Sequence, residues 1–210
     1  MESLKVKLIA DQEIGNLPLT AGSESASDSQ IEHADYNDFH LLRMIGQGSF
    51  AKVYLAREIS SGSYVAIKAI KKKWLENDAA RESFYRESRL LMTLSDPSFV
   101  KTYGIGQLPN GGCFLVLQWI EGESLGELVE SATMEERASW VEQIRQAVQR
   151  LHAANITHGD IDLNNVLIDN QGQIKLVDFG FGRRVSSNSV DFRFDLNQVE
   201  RLSKLVLGSD

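Results

Sequence analysis

Residues 39–73, FHLLRMIGQGSFAKVYLAREISSGSYVAIKAIKKK, alternate apolar and polar side chains around two turn signals, Gly46-Gln47-Gly48 and Ser61-Gly62-Ser63. A strand sends successive side chains to opposite faces, so a period of two interrupted by glycine turns describes strands folded back on one another. The stretch is expected to form a three-stranded antiparallel meander, and any fold for the chain has to be built onto that sheet.

The period then changes. Over residues 76–94, Phe84, Glu87, Leu91 and Leu94 recur along one face of a helix. Strands are expected near 100–107 and 113–119, a short helix near 124–131, and a longer helix over 134–153 striped by Val141, Ile144, Val148 and Leu151. Two short strands, VLID and IKLV, flank the turn Asn170-Gln171-Gly172, and a last helical pattern covers about 195–207. No internal repeat is visible.

Composition excludes several classes. With 42% apolar and 24% charged residues in 210, the chain has the make-up of a globular cytoplasmic protein with one or two modest cores. A single cysteine, Cys113, closes no intrachain disulfide and has no second cysteine at metal-ligand spacing; it reads as a strand residue. The longest apolar run, Phe114 to Ile120, is too short to span a bilayer and is broken by Gln118, so no membrane span is expected. The net charge of −7 is uneven: residues 8–38 hold seven acids and no Lys or Arg. Residues 1–38 are therefore expected to be an acidic, mostly disordered leader, in which LKVKLIA is the one segment able to add a strand. Nothing here suggests nucleic-acid binding.

Chemistry-bearing residues interrupt the apolar pattern. Lys68 shares a strand face with Ala66 and Ile70, and Glu87 lies on the inward stripe of the next helix. Together they form either a buried structural ion pair or a fixed cation for phosphate oxygens. The loop Gly46-x-Gly48-x-x-Ala51 also fits a dinucleotide fingerprint, but that motif opens a helix, whereas KVYLARE continues as a strand. The loop thus reads as a hairpin tip lying over phosphates, or as a plain turn. Farther on, HGDIDLNNVLIDNQGQIKLVDFG carries Asp160, Asn165 and Asp178 in an apolar setting. Buried carboxylates are costly without compensation. Asn165 and Asp178 offer hard oxygen ligands suited to Mg²⁺, which needs few protein ligands when phosphates supply the rest. Asp160 is left to accept a hydroxyl proton; turn and capping roles are the alternative for Asp160 and Asn165.

These motifs, GQGSFAKV, VAIK, Glu87, HGDIDLNN and DFG, in this order, resemble the protein-kinase superfamily over residues 39 to about 207. The resemblance implies an α+β, two-lobed fold, with an antiparallel-sheet N-lobe and hinge over 39–120 and a shortened helical C-lobe over 121–210. It also implies the cofactors ATP and Mg²⁺. Lys68, held by Glu87, would contact the α- and β-phosphates, Asp160 would be the base, and Asn165 and Asp178 would hold metal. Ile45, Gly46, Gly48, Ser49, Phe50 and Val53 would cover ATP. Ala66 and Leu167 would sandwich adenine, Leu117 would be the gatekeeper, and Gln118, Trp119 and Ile120 would form the hinge. His158 would anchor the catalytic loop.

Departures from the family pattern accompany the match. Gly159 stands where the family usually has an Arg that receives an activation-loop phosphate, so activity is expected not to depend on phosphorylation of Ser186, Ser187 or Ser189. Asp162 stands where Ser/Thr kinases place a Lys that touches the transferred phosphate. No Ala-Pro-Glu motif follows Gly180. The H-G-D form is similar to lipopolysaccharide sugar kinases and Rio-type kinases. Asp195 resembles the acid that opens the central C-lobe helix, whose apolar residues are expected to leave a surface for a partner or for self-association. The acceptor expected from the resemblance is a protein Ser/Thr hydroxyl. A sugar or other small molecule is the alternative, and a nucleotide-binding module without activity is a third.

Overall fold

The structure, a computed structural model, describes residues 33–108, 111–186 and 190–208. The chain forms two compact units. One runs to Ser88 and resumes over Thr102–Trp119, and the other comprises Arg89–Lys101 and the chain from Ile120 onward. Residues 89–101, expected from sequence to lie with the N-terminal sheet, thus group with the second unit.

The first unit is a six-stranded sheet built from β1 (His33–Asp35), β2 (Phe39–Gln47), β3 (Ala51–Glu58) and β4 (Tyr64–Ile70). After these come α1 (Asp78–Met92), β5 (Thr102–Gln107) and β6 (Cys113–Gln118). The spatial order is β1-β5-β6-β4-β3-β2. The meander of β2, β3 and β4 is antiparallel throughout, as the alternation requires. Residues 33–38, assigned from sequence to the acidic leader, instead form β1, which pairs parallel with β5, and a 3₁₀ turn. The LKVKLIA segment lies outside the described residues. Ala56, Val65, Ile67, Leu108, Phe114 and Val116 form the core, with Tyr36 and Phe39 set edge-on to the Phe114 ring. Cys113 opens β6, and burial pushes its thiol up to about 11.

Helix α1 is shorter than its apolar pattern at both ends. The Asn77 side chain accepts the amide of Ala80, an N-cap geometry that starts the helix at Asp78, and the Thr93 hydroxyl turns back onto the Leu90 carbonyl just past its end.

The second unit contains β7 (Gly122–Ser124), α2 (Leu125–Leu128), α3 (Met134–Ala153), β8 (Ile156–Thr157) and β9 (Val166–Asp169). It continues with β10 (Ile174–Leu176), β11 (Arg183–Arg184) and α4 (Asp191–Leu207). Reciprocal capping boxes, Ser124 with Glu127 and Thr133 with Glu136, open α2 and α3. The apolar stripe of α3 is buried and meets α4, which buries Val199, Leu202 and Val206. Leu196 and Leu205 of α4 remain exposed. The helix begins at Asp191, so Asp195 lies in its second turn and does not open it as the resemblance implied. β9 and β10 form the expected hairpin, and β8 pairs with β11.

Candidate functional site

In the first unit, the sheet register aligns Gly46 with Val53, Val53 with Lys68 and Ala66 with Leu117. Ile45 sits at the register shift between Met44 and Gly46, where β2 enters the glycine loop. Lys68 Nζ lies 2.6 Å from Glu87 Oε1, and both residues are buried, which brings the β4 cation and the α1 anion together as the sequence suggested. The tip of the loop is tied to the chain that follows β4. Lys71 Nζ donates to the Gly48 carbonyl at 2.5 Å, Trp74 Nε1 donates to the Ser49 carbonyl at 3.1 Å, and the Phe50 ring lies 5.0 Å from that of Trp74. A Cβ placed on Gly48 would meet no protein atom within 4 Å. The packing of the protein therefore does not demand glycine there, and what the missing side chain preserves is open backbone. Leu117 is buried at the end of β6, and Gln118 and Trp119 are half-buried.

In the second unit, hydrogen bonds join Asn165 to Asp160 and to Val177, the residue before Asp178. Asn165 Nδ2 donates to both the carbonyl and Oδ2 of Asp160 at 2.9 Å, which leaves the amide oxygen of Asn165 as its remaining side-chain ligand atom. The Val177 amide donates to the Asn165 carbonyl at 3.0 Å, placing Asp178 one residue away. His158 is fully buried, with Nε2 3.2 Å from the Val177 carbonyl and Nδ1 accepting the Asp160 amide, so the proton resides on Nε2. Burial holds its pKa below the ordinary value, in spite of Asp195 and Asp178. Asp178 has φ 62, a left-handed conformation uncommon outside glycine and concentrated at functional sites. Burial, and then the charge of Asp162, raise the Asp160 pKa. Ile120 is buried and Leu167 is half-buried in β9, both in this unit.

The departures from the family pattern have structural reasons. Gly159 has φ 80, and a Cβ there would approach the Phe181 carbonyl oxygen to 2.8 Å, so an Arg is incompatible with this backbone. Asp162 Oδ1 accepts the amides of Asn164 and Asn165, so its carboxylate caps the loop. Ser186 is described, whereas Ser187 and Ser189 lie outside the described residues.

Two α4 residues brace the loop that carries Asp160, one singled out by the resemblance and one that escaped sequence reasoning. The fully buried Asp195 accepts the amides of His158 and Gly159 at 2.9 and 2.8 Å and also pairs with His152 Nε2 at 2.9 Å. Burial alone would raise its pKa, but the His152 hydrogen bond and the two amides outweigh it and hold the carboxyl below its ordinary value. Gln198, one turn along α4, accepts the Ile161 amide at 3.0 Å and donates to the Gly159 carbonyl at 3.3 Å. Asp195 was singled out by its likeness to the acid of the family's central helix, and the only signal for Gln198 was its place three residues past Asp195.

The family model for the protein kinase domain matches residues 39–199. The serine/threonine-protein kinase PrkC of Bacillus subtilis is 32% identical over 155 residues, covering 72% of this chain and 24% of that protein. A probable serine/threonine protein kinase IRE of Arabidopsis thaliana is 27% identical over 201 residues, covering 88% of this chain and 17% of that one. The cAMP-dependent protein kinase type 3 of Saccharomyces cerevisiae is 31% identical over 152 residues, with 71% and 38% coverage. The chain thus spans well under half the length of these curated relatives.

Proposed function

The chain belongs to the protein kinase family, and on that premise we propose that it is an Mg-ATP-dependent phosphotransferase acting on Ser or Thr hydroxyls of a polypeptide. The observation that supports this reading is the hydrogen bonding of Asn165 to Asp160 on one side and to Val177, the residue before Asp178, on the other.

The residues present suit the implied ligands. Among the described residues no group of three or more His, Cys, Asp or Glu could hold a metal. An Mg²⁺ carried by phosphates needs only one or two protein oxygens, which the Asp178 carboxylate and the Asn165 amide oxygen would supply. Mg²⁺ held there would neutralise the charge that develops on the phosphates. Lys68, oriented by Glu87, would bind phosphate oxygens as a point charge. The open backbone at Gly46 and Gly48, with Ile45, Ser49, Phe50 and Val53, would cover the nucleotide. Ala66, Leu117, Leu167 and the backbone of Gln118, Trp119 and Ile120 would receive adenine. In transfer, the acceptor oxygen bonds to the γ-phosphorus and the bond to the β-phosphate oxygen breaks, its electron pair leaving with ADP. The hydroxyl proton passes to Asp160 Oδ1, since Asn165 holds Oδ2.

Among the described residues no helix is long and apolar enough to cross a membrane; we assign the domain to the cytoplasm. The exposed Leu196 and Leu205 would serve association with a second copy, which light scattering over a concentration series tests. For the activity, incubation with γ-labelled ATP and a mixed peptide pool should label peptide in the wild type and not in Asp160→Asn. Tight ATP binding with no transfer to any acceptor would overturn the reading in favour of a binding module.

A further inference from the structure

A groove of about 270 Å³ opens along the seam between α3 and α4, within the second unit, and none of the phosphotransfer roles above uses its lining. The buried Val148 and Val199 form its floor. Its rims differ in sign: Arg145 and Gln149 stand on α3, Leu196 and Glu200 on α4, and all four are exposed.

Two contacts fix how the rims line up. His152 Nε2 meets Asp195 at one end of the seam, and Arg137 Nη1 donates to the Val206 carbonyl at 3.4 Å at the other, so the helices run antiparallel. Arg145 lies about midway between Arg137 and His152, and Glu200 about midway between Asp195 and Val206. With a constant rise along each helix, the cation and the anion stand level across the groove. Glu200 is only loosely engaged by Lys204, at 3.6 Å in an exposed pair of the kind that contributes little.

A surface with opposite charges level on its two rims is complementary to itself. A twofold axis along the seam turns α3 of one copy onto α4 of the other without changing height. Each Arg145 then faces the other copy's Glu200, and each Leu196, 51% exposed, comes down on the other copy's α3 rim near Gln149. A twofold across the seam would instead set Arg145 on Arg145 and Glu200 on Glu200, which like charges oppose.

We propose that this seam is a homodimer interface, in which two copies pack α3 against α4 about a twofold axis along the groove, joined by two Arg145–Glu200 pairs beside the Leu196 side chains. The inference names the face, the register and the symmetry of self-association, and it holds whether or not the chain transfers phosphate.

The test is sedimentation of the full chain over a concentration series, where a monomer–dimer equilibrium is expected. Arg145→Glu and Glu200→Arg each set two like-charge contacts into the interface and should weaken the dimer by about tenfold or more. Mixed in equal amounts, the two weakened variants should combine with close to wild-type affinity, because each supplies the charge that the other lacks. Leu196→Gln should weaken the dimer with no such rescue. All three positions are exposed, so the variants should fold, which circular dichroism melts check. A chain that stays monomeric up to millimolar concentration, a dimer indifferent to both reversals, or reversed variants that fail to combine on mixing would overturn the inference.

Discussion

The side chain of Gln198 grips the peptide on either side of Asp160, donating to the Gly159 carbonyl and accepting the Ile161 amide. The carboxylate proposed to accept the hydroxyl proton is thereby held from behind by an α4 side chain. Gln198→Ala should lower kcat by about tenfold, because small displacements of reacting groups are expensive, and leave nucleotide affinity unchanged. Gln198→Glu, which keeps the acceptor and loses the donor, should fall between. Steady-state kinetics beside calorimetric ATP binding checks both.

Asp178→Asn and Asp160→Asn should separate. The first removes the charge of the proposed metal ligand and should weaken Mg-dependent ATP binding. The second should leave binding nearly intact and depress turnover, since proton acceptance matters only at reaction. Calorimetry with and without Mg²⁺ distinguishes them; equal loss of affinity in both would reject the division of roles.

Glu87→Ala removes the carboxylate that lies 2.6 Å from the buried Lys68 ammonium. Breaking such a pair from one side costs about 3–5 kcal/mol, whereas pairs removed whole are often tolerated. Urea unfolding of Glu87→Ala should show most of that loss, and the double variant Lys68→Met, Glu87→Leu should recover much of it while remaining inactive.

Trp74→Ala removes both the hydrogen bond to Ser49 and the ring against Phe50. With these two ties gone and that of Lys71 remaining, the glycine loop should cover nucleotide less well, raising KM for ATP several-fold with a smaller effect on kcat. Hydrogen exchange at Gly48 to Ala51 should accelerate in parallel.

Acid should unfold the second unit by a defined route. The folded pKa of His158 lies below its ordinary 6.5, so below that pH the unfolded chain binds the extra proton and stability falls as pH drops. Asp195, depressed below 3.8, adds its loss only at still lower pH. Urea midpoints should therefore be flat above about pH 7 and decline below about pH 6.5. His158→Asn, though less stable, should show a shallower decline.

The sequence made the meander, the Lys68–Glu87 pair and the grouping of Asp160, Asn165 and Asp178 readable, because each places a polar residue in a periodic apolar frame. Gln198 was not readable, since a glutamine on a helix looks like solvated surface until the loop it grips is in place. Asp162 stands out in sequence only as an acid where a Lys is usual, and its oxygen caps two amides of its own loop. Helix α4 starts earlier than expected because Asp191 to Phe194 carry no stripe. Three-residue β1 has almost no local signal, and its partner lies some seventy positions away.

That short strand has a consequence for handling the protein. In the sheet order β1 stands outside β5, and it approaches so closely that a Cβ on Gly106 would fall 2.2 Å from the Ala34 carbonyl oxygen. A chain begun at Phe39, where the family match starts, would bare the β5 backbone as an open ladder. Unshielded ladders recruit strands from other molecules. Such a truncation should precipitate or form slow oligomers at concentrations where the longer chain stays clear, so a strand of three residues sets the colloidal behaviour of the whole preparation.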